Sequence, residues 1–270
     1  HVIRGEEHIP NTARQTLLYG AMGSEPPKFT HLGLILGPDG KKLSKRQGDE
    51  SVAGYRDAGY LPETLVNHLA LLGWNHPEGE EEFEDLAELV REWDPGRLGA
   101  SPATFDPDRL LSLNAWHVRN LSPEELLPRL QPFLDGPLPE GRELLAVEAV
   151  QQEMRLLSEA PRLLEEITGP VDPDSFAAGL PESSEKVFAQ ARQALAGNAF
   201  RDLEEAREFV GSLRSWAKAE GIKTRDLLHP LRLALTGRDR GPEMAYLFAV
   251  LGAEESQSRI DRVREARLRL

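Results

Sequence analysis

The sequence predicts a mainly α protein with a short α/β segment at its N-terminus. Three observations carry this. Beyond about Gly141 the apolar residues recur at helical spacing, with Leu144, Val147, Val150, Met154 and Leu157 in one stripe and Leu203, Ala206, Val210, Leu213 and Ala217 in another. The breaks between stripes fall at Gly169-Pro170, Gly197, Gly221, Gly237 and Gly252, residue types that end helices. Near the N-terminus the pattern differs: Leu32-Gly33-Leu34-Ile35-Leu36 is a short apolar run that reads as a buried strand.

Taken in order, residues 1–3 end a strand and Arg4-Gly5-Glu6-Glu7-His8 turns out of it. Pro10 and Asn11-Thr12 then lead into a helix through Leu17-Leu18. After the apolar run, Gly37-Pro38-Asp39-Gly40 carries turn chemistry, because Pro38 presets φ and Gly40 accepts a positive one. Residues 52–60 form a short helix broken by Gly59. Pro62 opens the next, with Leu65, Val66, Leu69 and Leu72 as its apolar face and Gly73 as its end; Trp74 reads as core. An acidic loop at 79–82 precedes a further apolar face of Leu86, Leu89, Val90 and Trp93, stopped by Asp94-Pro95. Asp106 caps a helix running through Leu110, Leu113 and Trp116. Ser122-Pro123-Glu124-Glu125 is a capping box with proline at the first helical position. Gly136-Pro137-Leu138-Pro139 is the best linker candidate.

Composition narrows the function classes. The 270 residues, 40% hydrophobic and 29% charged, suffice for two or three folded subdomains. No apolar run approaches the ~20 residues of a membrane helix, so no membrane partner is expected. The absence of cysteine excludes disulfides and thiolate metal sites and fits a cytoplasmic setting. His8 and His31 have no ligand neighbours at helical spacing, so neither a zinc site nor any other metal site is expected in this chain. A net charge of −13 argues against indiscriminate nucleic-acid binding, which needs clustered cations, but leaves room for local basic strips.

The cationic stretch Lys41-Lys42-Leu43-Ser44-Lys45-Arg46, just after the turn, is the chemical centre of the chain. Compact ammonium groups on both sides of a hydroxyl suit a phosphate chain on which charge develops. Alone, the hexamer also fits a solvated charged turn, a nuclear address or a kinase target. Arg4, at the carboxyl end of a strand, stands where an open α/β sheet places ligand groups, or else pairs with Glu6 or Glu7 on the surface. The run Arg259, Arg262, Arg264, Arg267 and Arg269 fits a phosphate strip, or a basic helix end paired with Glu254, Glu255 and Glu265. Arg238 and Arg240, on the Gly237–Gly241 turn, are better placed to stack on or fork to unpaired bases.

Lys42-Leu43-Ser44-Lys45-Arg46 resembles the KMSKS-type loop of class I aminoacyl-tRNA synthetases. His1-Val2-Ile3-Arg4-Gly5-Glu6-Glu7-His8, Asn11-Thr12, Arg14-Gln15, Leu34-Ile35-Leu36-Gly37 and Leu69-Ala70-Leu71-Leu72-Gly73-Trp74 stand in the order and at the spacing of the glutamyl-tRNA synthetase family. His229-Pro230-Leu231-Arg232-Leu233-Ala234-Leu235-Thr236-Gly237-Arg238, followed by Gly241-Pro242-Glu243, resembles the anticodon-binding part of the bacterial-type enzymes. The family's HIGH-type signature does not occur, so the chain is expected to be the back part of such an enzyme, inactive alone.

The resemblance implies a short remnant of an α/β nucleotide-binding fold, followed by helical stem-contact and all-helical anticodon-binding subdomains. It places the second half of the catalytic domain at 1–50, the stem-contact subdomain at 51–135 and the anticodon-binding domain at 136–270. It implies a glutamate-tRNA ligase; the alternatives are a non-catalytic tRNA-binding module or a helical interaction protein derived from such an enzyme. ATP is the implied substrate with Mg2+ accompanying it, glutamate and tRNA(Glu) are the implied partners, and a monomer is expected. Lys45 and secondarily Lys42 would be catalytic within an ATP loop of Lys42, Leu43, Ser44, Lys45 and Arg46. Arg4, Glu7 and His8 would meet substrate. Arg238, Arg240 and Arg155, the last beside Gln151 and Gln152, would meet tRNA.

Overall fold

The computed structural model describes residues 1–43 and 51–269. The chain divides into two compact units, His1–Asn120 and Leu121–Leu270.

The first unit opens with β1 (Val2–Gly5), α1 (Ile9–Ala21) and β2 (Phe29–Leu32), a β-α-β crossover in which β1 and β2 pair in parallel and Arg4 lies opposite His31. β3 (Ile35–Leu36) belongs to a second small sheet, parallel to β4 (Ala103–Thr104). The run at 32–36 is therefore not the single buried strand expected from its apolarity. It breaks at Gly33, where a Cβ would lie 2.2 Å from the Ser101 carbonyl oxygen, so only a glycine allows the two backbones to pass. Between β3 and β4 come α2 (Val52–Ala58), α3 (Pro62–Leu71) and α4 (Leu86–Glu92), and α5 (Pro107–Asn120) closes the unit. Ser51 caps α2 by accepting from the Gly54 N–H at 3.0 Å, and Gly59 ends it at φ +94°.

The face that α3 buries is not its apolar one. Val66 and Leu69 are exposed, whereas Thr64, Asn67 and His68 lie inside. Two long-range contacts explain the inversion. The Asn67 side chain donates to the Glu81 carbonyl at 2.9 Å and accepts from the Phe83 N–H at 3.0 Å, which fixes the acidic loop and turns Phe83 onto Trp74 and Leu89. His68 sets its ring edge-on to Phe105, 4.9 Å between centroids. Burial, followed by the nearby Arg109 cation, pushes the His68 imidazole below its ordinary pKa, opposed by Asp106. Similarly, α4 directs only Leu89 inward; Leu86, Val90 and Trp93 are exposed.

Among the described residues of the second unit every regular element is helical: α6 (Pro123–Leu130), α7 (Glu143–Gln151), α8 (Ala160–Thr168), α9 (Ser184–Leu195), α10 (Leu203–Ala219), α11 (Thr224–Thr236) and α12 (Met244–Leu268), joined by short 3-10 turns. The capping box forms as read, with Ser122 and Glu125 each bonding the other's backbone N–H. The chain divides between Asn120 and Leu121, ahead of the linker expected at Gly136. Burial explains the difference. Leu126 and Leu130 of α6 are fully enclosed, α6 packs on α7, and the Gln151 amide donates to the Leu121 carbonyl at 2.7 Å.

Around them Met154, Ile167, Phe188, Leu195, Leu213 and Phe248 are each less than 2% exposed, a burial that contributes about 1.5–3 kcal/mol per side chain. Phe209 meets both Phe200 and Phe248 edge-on. α12 kinks at Gly252, φ 75°, where the Arg142 guanidinium occupies the space a Cβ would need. No described helix is long and apolar enough to cross a membrane.

The C-terminal arginines are tied into this fold. Arg259 is 4% exposed and donates to the carbonyls of Ile167 at 3.0 Å, Thr168 at 2.8 Å and Leu235, while its Nε meets Glu255 at 2.6 Å. It thus caps the last turns of α8 and α11 together. Arg262 also reaches Glu255, Arg264 reaches Glu185, Arg267 the Pro181 carbonyl and Arg269 Asp174. Among the described residues Glu255 is the expected carboxylate that receives these arginines, and each of the five guanidinium groups has a partner.

Candidate functional site

In the first unit, Arg4 leaves β1 beside α1. Its Nη2 donates to Thr12 Oγ1 at 2.6 Å and Gln15 Oε1 at 2.8 Å, and its guanidinium lies 4.9 Å from the centre of the Phe29 ring. Thr12 is held in turn by His31 Nε2 at 2.8 Å. These partners are neutral, and among the described residues Arg4 makes no ion pair with Glu6 or Glu7. Arg4 lines a cavity of about 260 Å³ with Val2, Gln15, Leu18, Tyr19, Met22, Pro27 and Phe29. An oriented cation in the lining of a small, mostly apolar cavity is suited to a carboxylate on a small molecule.

Glu7 and His8 do not line that cavity. His8 is exposed, its Nδ1 3.2 Å from Asn11 Nδ2. Glu7 Oε1 instead accepts from Lys42 Nζ at 2.7 Å, joining the turn after β1 to the start of the cationic loop. That hydrogen bond, more than any other cause, holds the Glu7 carboxyl below the ordinary carboxylate value. The stability the pair contributes is therefore present above the ordinary carboxylate pKa and lost as pH falls through Glu7's lowered one. In a carbon-detected NMR titration of Glu7, Lys42→Ala should move its midpoint up toward the ordinary carboxylate value. An unchanged Glu7 midpoint in that variant would show that Lys42 does not hold it.

Lys42 is positioned by a hairpin. The Gly40 N–H donates to Gly37 O at 2.9 Å, Gly37 N–H to Lys41 O at 2.7 Å and Leu43 N–H to Ile35 O at 3.0 Å, while Gly40 takes φ +72°. Lys42 consequently lies antiparallel to Leu36. Ser44, Lys45 and Arg46 lie outside the described residues. No group of three or more metal-ligating side chains forms among the described residues.

In the second unit the Gly237–Gly241 turn is braced from both sides. Gly237 ends α11 in the left-handed region, the Arg238 N–H donates to Thr236 Oγ1 at 3.2 Å, and Arg232 Nη1 donates to Pro242 O at 2.8 Å. Asp239 turns to His229 Nε2 at 2.9 Å. Arg238 Nη1 lies 3.6 Å from Glu166, which also accepts from Arg162 at 2.5 Å. Arg240 is exposed and makes no ion pair among the described residues. Arg155 is distant in the chain and engages Glu159 through its backbone N–H at 2.7 Å and its side chain at 3.4 Å. The sequence reading missed Glu166 as a neighbour of this loop and the pairing of His229 with Asp239. Only the Arg162–Glu166 half was legible, as an i,i+4 pair.

The family description "tRNA synthetases class I (E and Q), catalytic domain" matches residues 1–112, and "Anticodon binding domain" matches 125–264. Together the two define the class as a class I tRNA synthetase of the glutamate and glutamine type. Among curated relatives, "Glutamate--tRNA ligase 1" of Rubrobacter xylanophilus is 61% identical over 100% of this chain and 62% of its own length. "Glutamate--tRNA ligase" of Natranaerobius thermophilus is 37% identical over 97% of this chain and 55% of its own. A crystal structure of a glutamate tRNA ligase from Elizabethkingia meningosepticum superposes with a TM-score of 0.79 at 29% identity, covering 98% of this chain and 57% of that one. The chain belongs to the glutamyl-tRNA synthetase family. It spans a little over half the length of these relatives.

Proposed function

We propose that the chain is the loop-closing and tRNA-handling portion of a glutamate-tRNA ligase. In this reading a carboxylate oxygen of glutamate attacks the α-phosphorus of ATP and pyrophosphate leaves. A hydroxyl of the tRNA's terminal adenosine then displaces AMP from the glutamyl carbon. Arg4 holds a carboxylate of glutamate, Glu7 and His8 form polar surroundings, and Lys45, with Lys42 second, stabilises charge growing on the phosphates. Magnesium accompanies the nucleotide's phosphates, and no described residue is assigned to it. Residues 1–50 belong to the catalytic domain, 51–120 to the stem-contact part, and the helical unit from Leu121 to the anticodon-binding part. Arg238, Arg240 and Arg155 meet tRNA(Glu), and the protein works as a cytoplasmic monomer.

The observation that carries this reading is Arg4, a cation held by neutral partners beside a small cavity, in the unit whose hairpin leads into Lys42. The experiment starts with tRNA. The 270-residue chain should bind a tRNA(Glu) transcript in fluorescence anisotropy. With about three phosphates neutralised, affinity should fall about twenty- to fortyfold between 50 and 200 mM salt. Salt-independent binding, or none at 50 mM, would remove the tRNA-handling role.

A further inference from the structure

We infer that Glu166 acts as a carboxylate gate on Arg238, raising the selectivity of the Gly237–Gly241 loop for its proper RNA over other polyanions. The inference rests on the proposal that this loop contacts tRNA.

The geometry points to a gate for three reasons. First, Glu166 Oε1 receives two guanidinium groups, Arg162 at 2.5 Å and Arg238 at 3.6 Å. Its side chain is only 20% exposed while both arginines are more than half exposed, so a fixed anion stands between two cations that reach solvent. Two guanidinium groups converging on one carboxylate make a site that would equally take a phosphate.

Second, the arrangement is held in register from beneath. Arg259 binds the carbonyls of Ile167 and Thr168 at the end of α8 and of Leu235 at the end of α11, beside Glu166 and Arg238 respectively. Thr236 and Arg232 brace the loop itself. Third, the loop's own anion is drawn aside, because Asp239 is engaged by His229 at 2.9 Å. Arg240 makes no ion pair among the described residues, whereas Arg238, likewise exposed, faces the Glu166 carboxylate.

The consequence is a division of labour between the two cations. Arg240 can attract any polyanion. Arg238 becomes available only to a partner whose further contacts make up for displacing Glu166, and a phosphate arriving without them meets a carboxylate. An exposed ion pair is weak, so the gate opens readily for a partner that makes several contacts at once.

The test uses the full chain, a tRNA(Glu) transcript and a non-cognate tRNA transcript, with affinities read by anisotropy at one salt concentration. Glu166→Gln should tighten non-cognate binding about three- to fivefold, the scale of one exposed ion pair, and cognate binding by less than about twofold. The same substitution in an Arg238→Ala background should change neither affinity. Glu165→Gln removes an exposed carboxylate one residue away and controls for general charge. A gain equal to that of Glu165→Gln, or one that persists without Arg238, would overturn the gate while leaving the loop's contact with tRNA standing. Unchanged tRNA binding by Arg238→Ala and Arg240→Ala together would overturn both.

Discussion

In a chain of full synthetase length, Lys45→Ala is expected to lower glutamate-dependent ATP–pyrophosphate exchange about a hundredfold to a thousandfold while tRNA affinity changes little. A loop lysine near the leaving phosphates acts where charge develops, and losing one such contact raises a barrier by about 3–4 kcal/mol. Lys45→Arg should recover only part, because a guanidinium fork does not fit where a compact ammonium did. Lys41→Ala should be mild: its ammonium is exposed and sits 3.8 Å from Asp39 within the turn. A Lys45→Ala enzyme within about threefold of the parent would remove the loop from the chemistry, since that ratio corresponds to less than 1 kcal/mol.

The second large effect concerns stability. Arg259→Met should destabilise the helical unit by about 3–5 kcal/mol, because it removes a buried cation and leaves the carbonyls of Ile167, Thr168 and Leu235 without their donor. For a unit of this size that corresponds to a loss of about 6–20 °C in Tm, read by circular dichroism. Arg259→Lys should restore little, since one ammonium cannot reproduce a planar group bonded to three carbonyls and Glu255. A melting temperature unchanged by Arg259→Met would mean that water satisfies those helix ends equally well.

Arg259 also shows where reading the sequence stopped. Five arginines near the C-terminus form one basic run in the sequence, and the neighbouring glutamates offered local partners. In the structure Arg259 bonds a carbonyl 92 residues away, and Arg264 and Arg269 reach Glu185 and Asp174. Helix α3 failed in a similar way. Its periodicity gave an apolar face of Val66 and Leu69, yet Asn67 and His68 are inside because a distant loop bonds the Asn67 amide and Phe105 packs edge-on against the His68 ring.

What the sequence determined by itself was everything encoded over a few residues. Helix content after Gly141, the capping box at Ser122 and the turn at Gly37–Gly40 depend on local spacing, capping and φ preferences. So did membership of the family, carried by short blocks standing in order. Tertiary structure decided which groups keep their charge available. Arg4 stays un-neutralised because Thr12 and Gln15 fold against it, Lys42 is held by Glu7, and Arg238 meets Glu166 across the packed ends of α8 and α11. Such pairings follow from how helices and strands pack, and spacing along the chain does not encode which distant carboxylate or carbonyl a long side chain will find.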